Sequence, residues 1–479
     1  MLMNFIITFI HIILAIIITV HVLLYKEDVK SSISWISLVF LSPFVGAILY
    51  IFFGINRVKR KALRLKQYIV DNDNLLQTNS NNKHHIYSNL LIKYKQFIHF
   101  GYKVYPQRYT FGNKITPLQN GTEAYPEMLK HILNSQNEVL ILSYIFDYDL
   151  ETKKFLDAFK ILINRGIKIK ILVDGIGTLK FFRSSIEKQL SKINGLEYGV
   201  FLPPHIPILL PFVNLRNHRK IMIIDGKIAF LGGMNLSKKN ILINDINHGI
   251  IDITFKIEGP VIDQIFRVFK HDWEFTKHSK CNFVYEKNNN NIKICKQDIP
   301  ARVISDGPDS QFDKIELIVH GALNMAKRKI TIVTPYFLPE SNILVALKMA
   351  AMKGINVELI VPERSDYKFL DYASEANFLS LLLSGVKIYR TIRPFDHSKI
   401  FIVDDEWVFI GSANWDVRSF KLHFETNIEL FSHDLAKILN DIISKKKRKA
   451  KLVTTHEVQH ISCLKRIRNN AYRLLTPYG

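Results

Sequence analysis

Residues 1–25 contain no Lys, Arg, Asp or Glu and are dominated by Ile, Leu, Val and Phe; a second uncharged run covers 32–55, after a short charged turn. Each run is long enough to cross a bilayer core of about 30 Å. Pro43 and Gly46 lie inside the second run, as membrane helices tolerate, and Trp35 and Tyr50 lie near its ends, where interfacial aromatics are expected. The pattern predicts a 1–66 anchor of two transmembrane helices. A cleaved signal peptide would start basic and carry a shorter apolar stretch. A buried core hairpin would need a soluble domain able to wrap both helices. Arg57, Lys59, Arg60, Lys61, Arg64 and Lys66 follow the second run, against Lys26 and Lys30 between the runs. By the positive-inside rule the body, and the N-terminus with it, is expected in the cytoplasm.

Residues 67–122 are polar and Asn-rich and read as a linker carrying a little structure. Beyond them the pattern becomes regular. Residues 125–133 and 150–164 have helical periodicity, while 138–146 and 168–173 read as buried strands. The same order recurs, with helices at 314–326 and 341–352 and strands at 329–336 and 356–361. The junctions also match: 165–173 resembles 353–361, a Gly closing the helix before an apolar strand in both. Strands alternating with helices predict an α/β body of two homologous halves with mixed, mostly parallel sheets. The expected halves are 123–300 and 301–440, followed by a basic C-terminal segment at 441–479.

Each half carries one copy of a polar motif: Asn217-His218-Arg219-Lys220, four apolar residues and Asp225 in the first, Asp396-His397-Ser398-Lys399, four apolar residues and Asp404 in the second. The match continues into Gly232-Gly233-Met234-Asn235 and Gly411-Ser412-Ala413-Asn414. In extended chain, residues two apart share a face, so each His and Lys should project together. The Asp225-Gly226 and Asp404-Asp405 steps are hairpin-turn signals, and the Gly-x-x-Asn element should return the Asn toward the His. Two lysines and two asparagine amides suit the non-bridging oxygens of a phosphate. Two histidines can divide nucleophilic attack from proton transfer. Asp225 and Asp404 fit either a turn or a catalytic role, and both are carried as catalytic candidates. Histidine on phosphate also needs an acid to fix its tautomer; Asp252 and Glu425, at the ends of downstream strands, are the candidates. No His/Cys/carboxylate ligand spacing is evident, and no metal or cofactor is expected.

These paired motifs resemble the phospholipase D superfamily, and the wider chain resembles the bacterial cardiolipin synthases. The resemblance runs from the N-terminal apolar runs through Glu258-Gly259-Pro260, Ser305-Asp306-Gly307-Pro308 and Thr334-Pro335-Tyr336-Phe337 to Asp416-Val417-Arg418-Ser419-Phe420 and Glu425. It implies condensation of two phosphatidylglycerol molecules to cardiolipin and glycerol through a phosphohistidine, with His218 as nucleophile and His397 as acid/base. A water-using phospholipase D or nuclease, and a non-catalytic scaffold for anionic lipid, are the alternatives. The setting implied is a bacterial inner membrane. Two positions depart from the family pattern: Asp396 replaces an apolar residue, and Gly233 stands where Ser412 stands in the second copy.

The formal net charge of +22 calls for a polyanionic partner but does not separate nucleic acid from an anionic membrane. The resemblance selects anionic membrane lipid, with phosphatidylglycerol and cardiolipin as partners and no nucleic acid. Three scattered cysteines suggest neither a zinc site nor a disulfide framework. The apolar, Pro-rich stretch 203–216 fits a lid or a packed loop. Lys445 to Lys449, and Lys465, Arg466, Arg468 and Arg473 among apolar residues, fit a basic amphipathic surface on an anionic leaflet or a solvated helix face.

Overall fold

The computed structural model describes residues 2–26, 29–42, 44–54, 92–178, 185–203, 215–242, 248–284, 295–307 and 313–475. The first apolar run is one helix, Leu2–Tyr25, and its Phe5–Tyr25 stretch is long and apolar enough to cross a membrane. The second run is broken into Val29–Leu41, Val45–Leu49 and a π-helical turn, Tyr50–Gly54, with Phe44 at a φ of 60° between the first two. A side chain at Gly46 would meet the Leu38 carbonyl oxygen at 2.5 Å, so the two short helices approach through glycine. Ala15, Ile18 and Val22 pack with Val39, Ala47 and Tyr50, which joins the runs into a small cluster. Among the described residues there is one helix of membrane-crossing length, where two were expected. Pro43 and the basic residues at 57–66, on which the orientation rests, lie outside the described residues.

In the body, fifteen described strands form one continuous sheet. Its middle is the antiparallel contact of Thr110–Gln119 with Ile299–Asp306. Outward on the first side follow Ile253–Glu258, Ile228–Gly232, Ile221–Ile224, Glu138–Ser143, Lys168–Asp174 and Leu196–Phe201. On the second side follow Glu425–Phe431, Trp407–Gly411, Ile400–Val403, Lys329–Val333, Asn356–Pro362 and Lys387–Thr391, with Lys451–Leu452 at the edge. Position answers position, so the duplication seen in the motifs extends through the sheet.

The expectation of mostly parallel sheets is corrected. In each half three strands pair in parallel, Glu138–Ser143 with Lys168–Asp174 and Leu196–Phe201, and Lys329–Val333 with Asn356–Pro362 and Lys387–Thr391, joined by crossovers such as helices Leu150–Asn164 and Ser341–Met352, while the edge strand Lys451–Leu452 is antiparallel. All pairs from there to the middle are antiparallel. The cause is the short turn inside each motif, since a hairpin can only return its strand antiparallel. Asp225 and Gly226 have φ of 51° and 62°, Asp404 and Asp405 of 55° and 58°, the positive pair that a tight hairpin needs. The stretch read as linker also contributes to the body, through helix Lys95–Val104 and the central strand Thr110–Gln119.

The helices after the last strand of each half, Val261–Lys277 and His433–Arg448, cover one face and share a single core. That core holds Ile265, Phe269 and Trp273 from the first and Leu435, Leu439 and Ile443 from the second, around strand residues of both halves. Separate clusters fill the other face of each half. Beside the seam, within the second half, Arg302 and Glu429 form a buried ion pair, 2.7 Å apart. Sharing a core and a sheet fixes the two motifs relative to each other, which a flexible pair of domains would not do.

Candidate active site

Both histidines stand just before a buried strand and are pinned by the opposite half. The His218 amide donates to the Phe424 carbonyl at 2.9 Å, and the His397 amide to the Ile251 carbonyl at 2.7 Å. Strand Phe395–Asp396 pairs in parallel with Ile250–Ile251, and Asn217 bridges to Phe424 in the same sense. The next residue on each partner segment is an acid. His218 Nδ1 lies 3.0 Å from Glu425 Oε1, and His397 Nδ1 lies 2.8 Å from Asp252 Oδ2. The acids therefore cross over, each half orienting the other's histidine. An imidazole held this way keeps its proton on Nδ1 and leaves the Nε2 lone pair for chemistry.

The lysines lie beside the rings as the i, i+2 spacing predicts. Lys220 Nζ donates to the His218 carbonyl at 2.5 Å, and Lys399 Nζ to the His397 carbonyl at 2.6 Å, with Lys399 Nζ 2.9 Å from His397 Nδ1 and 3.2 Å from Nε2. Asn235 accepts from the Ile145 amide at 3.2 Å, next in the chain to Tyr144, whose ring packs on His218 at 4.8 Å. Asn414 is buried, and its Oδ1 has no hydrogen-bond partner. It precedes strand Trp415–Asp416, which pairs with Phe337–Leu338 beside Tyr336, and the Tyr336 ring stands 6.3 Å from His397.

Asp225 and Asp404 are not brought to this cluster. Asp225 follows strand Ile221–Ile224 and accepts from the amides of Gln136, Asn137 and Glu138 and from the Ser135 hydroxyl. Asp404 accepts from the amides of Lys327, Arg328 and Lys329. Each motif Asp ties its hairpin turn to the start of the neighbouring strand, four strand residues beyond its lysine.

Burial dominates the electrostatics. It pushes the His218 pKa down to about 3 against the pull of Glu425, and lowers His397 with help from the Lys399 charge. It also takes Lys220 well below the ordinary lysine value and Lys399 to about 8. Burial works to raise the Glu425 pKa, but the contact with His218 and the Lys220 charge outweigh it and hold the carboxyl well below the usual range. Both imidazoles are thus neutral near pH 7, between a carboxylate on one side and a lysine on the other.

The two family departures also take definite places. Asp396 turns away from the ring and pairs with Lys446 at 2.7 Å; burial opposes its charge, and Lys446 outweighs burial to lower its pKa. Lys447 similarly pairs with Glu358 at 2.6 Å, so two lysines of the 445–449 run serve internal ion pairs. The Ser412 hydroxyl donates to Glu425 Oε2 at 2.5 Å and Ser419 to Oε1 at 2.9 Å. A Cβ at Gly233 would sit 2.7 Å from both oxygens of Asp252. Because the acids cross, the hydroxyl missing at Gly233 bears on His397, in the other half.

Several neighbours were missed in the sequence. Tyr144 and Tyr336 follow the ends of corresponding strands, where Ser143 and Thr334 each bond a carbonyl two residues on; the tyrosines stand one and two residues past these, so aligning the copies does not pair them. His423 has no counterpart to flag it. Its ring is 5.6 Å from His218, and its Nδ1 is buried without a hydrogen-bond partner. His218, His423 and Glu425 bring potential metal-ligand atoms within 4.8 Å of one another, but Glu425 is already taken by His218, Ser412 and Ser419. Most of the 203–216 stretch lies outside the described residues; Arg216, at its end, is buried 3.5 Å from Asp174.

Comparison with known proteins agrees with this geometry. The family described as "Cardiolipin synthase, PLD-like domain" matches residues 128–273 and 319–447, and "Phospholipase_D-nuclease N-terminal" matches 13–54. A cardiolipin synthase of Clostridium perfringens is 31% identical over 456 residues, covering 94% of this chain and 95% of its own. Cardiolipin synthase 1 of Staphylococcus epidermidis is 32% identical over 439 residues, covering 90% and 88%. In structure, the phosphatidylserine synthase of Haemophilus influenzae covers 80% of this chain and 99% of its own with a TM-score of 0.60 at 14% identity, a likeness of fold. With two phospholipase D motifs locked into one sheet and relatives matched nearly end to end, the chain belongs to the cardiolipin synthase family of phospholipase D-like proteins.

Proposed function

We propose that this protein is a membrane-anchored phosphatidyltransferase that condenses two phosphatidylglycerol molecules into cardiolipin and glycerol. The observation that carries the reading is the crossed arrangement of His218 with Glu425 and His397 with Asp252. His218 Nε2 attacks the phosphorus of the first phosphatidylglycerol. The bond from phosphorus to the glycerol headgroup oxygen breaks, and His397 gives that oxygen its proton as glycerol leaves. In the second half-reaction His397 takes the proton of a headgroup hydroxyl on the second phosphatidylglycerol, that oxygen attacks phosphorus, and the P–N bond to His218 breaks. His218 is assigned as the nucleophile by the superfamily resemblance; burial lowers the pKa of both histidines, so the ring is available in its neutral form. For His397 to act as acid, the bound phosphate must restore a proton that burial disfavours in the free enzyme. Lys220, Lys399, Asn235 and Asn414 hold the non-bridging oxygens and stabilise the charge that builds there.

Asp225 and Asp404 take the turn-forming role, Asp252 and Glu425 the orienting one. The working division is a 1–66 anchor, two halves at 123–300 and 301–440, and a basic tail from 441. The anchor is read as two membrane passages with the body on the cytoplasmic face, supported by the helix Phe5–Tyr25, the second apolar run and the basic residues at 57–66.

Purified protein in detergent with labelled phosphatidylglycerol tests the reading. Cardiolipin and glycerol in equal amounts are expected. Phosphatidic acid as the product would mean water is the acceptor, and no turnover would leave a lipid-binding scaffold.

A further inference from the structure

The last helix, Cys463–Leu475, is mounted the opposite way from an ordinary amphipathic helix. Its polar side faces the protein. The Arg468 guanidinium lies 3.5 Å over the Tyr372 ring, buried Asn469 donates to Glu375 at 2.9 Å, and the Tyr472 ring stands 5.7 Å from Tyr372 and 6.5 Å from Phe369. Its apolar residues Leu464, Ile467 and Leu474 face outward, 79%, 60% and 73% exposed, with exposed Ala471 between them. Steps of three, four and three residues put these four on one stripe. In a helix folded onto a water-soluble core that stripe would be the buried one.

The chemistry of what covers the stripe is set by its surroundings. Lys465, Arg466 and Arg473 are exposed beside it, and the helix contains no Asp or Glu. Leucine and isoleucine bordered by cations match the boundary between phosphate headgroups and acyl chains, where the apolar side sinks about 5–10 Å. Position agrees with this. The helix packs on Lys368–Leu383, at whose start Tyr367 lies 6.3 Å from Tyr336, which is itself 6.3 Å from His397.

We propose that helix 463–475 docks on the membrane surface, its apolar stripe in the acyl boundary and its basic residues on anionic phosphates, and so holds the His397 side of the site at the level of the lipid headgroups. This rests on the membrane reading above and on none of its chemistry. It also separates two basic regions: helix 433–448 spends Lys446 and Lys447 on internal ion pairs, whereas the last helix keeps Lys465, Arg466 and Arg473 at the surface.

The test uses the full chain carrying His218→Ala, so that catalysis plays no part, with Cys281→Ser, Cys295→Ser and Cys463→Ser. An environment-sensitive fluorophore is placed at Ile467→Cys or Leu474→Cys, with exposed Lys153→Cys as control, and the protein is reconstituted into vesicles holding a shallow nitroxide lipid. In phosphatidylglycerol vesicles, quenching at 467 and 474 should exceed that at 153 by about twofold or more, and it should weaken in phosphatidylcholine. Quenching equal to the control would overturn the proposal. So would a label already shielded in detergent and unchanged on reconstitution, which would mean that another part of the chain or a second copy covers the stripe. In the otherwise native enzyme, Leu464→Ser, Ile467→Ser and Leu474→Ser together should lower turnover on phosphatidylglycerol vesicles several-fold and leave turnover on detergent-dispersed lipid unchanged. Equal turnover on vesicles would contradict it.

Discussion

Glu425 and His218 are 207 residues apart in the chain, yet the glutamate Oε1 lies 3.0 Å from the histidine Nδ1. With its counterpart between Asp252 and His397 it makes the site a property of both halves together. Neither half alone holds a histidine with its orienting acid. Replacing Glu425 with Gln keeps the shape and removes the charge that stabilises the imidazolium and fixes the tautomer. Steady-state kinetics should show kcat down by about 100-fold or more with little change in KM, in the direction of the roughly 10⁴-fold loss that follows when the acid behind a triad histidine is made an amide. Asp252→Asn should do the same through His397. A KM effect alone would point to substrate binding instead.

The motif aspartates should behave differently. Asp225 and Asp404 each accept several amide protons at a turn with positive φ. Truncation to Ala leaves those amides without their charged acceptor and should destabilise the fold by about 1.5–3 kcal/mol. Thermal unfolding should register the loss, while kcat per folded molecule stays near the parent value. A large fall in kcat with an unchanged melting temperature would return them to the catalytic group.

Activity should depend on pH asymmetrically. Lys399 has its pKa lowered to about 8, so it is charged below that pH and neutral above. Phosphate binding, and with it kcat/KM, should decline as pH rises through about 8. Burial pushes His218 down to about 3, so the nucleophile stays neutral on the acid side well past the ordinary histidine value near 6.5, while the proton that His397 must take up with the phosphate, disfavoured by its lowered pKa, adds to the alkaline decline. The acid limb of kcat/KM should fall below that value. A pH profile of kcat/KM in detergent checks both limbs, and an acid limb centred at or above 6.5 would contradict the burial of the His218 ring.

Gly233 offers a test of the crossing itself. Gly233→Ala brings a Cβ within 2.7 Å of Asp252, which orients the histidine of the other half. A several-fold loss of kcat is expected, with the melting temperature little changed, because the contact is with a carboxylate end and not with backbone. Unaltered kinetics would show that Asp252 has room to move without releasing His397.

Much of the body could be read from the chain because the duplication repeats its own signals. Helices 150–164 and 341–352 and the strand at 168–174 sit within a residue or so of where periodicity put them. Asp252 and Glu425 were legible as acids at strand ends, but not which histidine each would serve, since that follows from docking one half on the other. Strand Thr110–Gln119 was read as linker: Gly112 and Pro117 interrupt it, and its hydrophobic alternation is weak. The parallel character was overestimated because the hairpins in the motifs were recognised without carrying their antiparallel consequence through the sheet. The second apolar run has the composition of a spanning helix, yet composition does not reveal a break such as the one beside Phe44. His423 went unnoticed because it occurs in one copy only.

The central claim is that one phosphatidyl group rests on His218 between the two half-reactions. Quenching the enzyme during turnover of phosphatidylglycerol with denaturant at alkaline pH, where the P–N bond survives, followed by mass spectrometry of its peptides, measures this directly. The expected result is a phosphatidyl adduct on the peptide containing His218, absent from His218→Ala and increased when the second phosphatidylglycerol is scarce. An enzyme that makes cardiolipin with no adduct at His218 would contradict it.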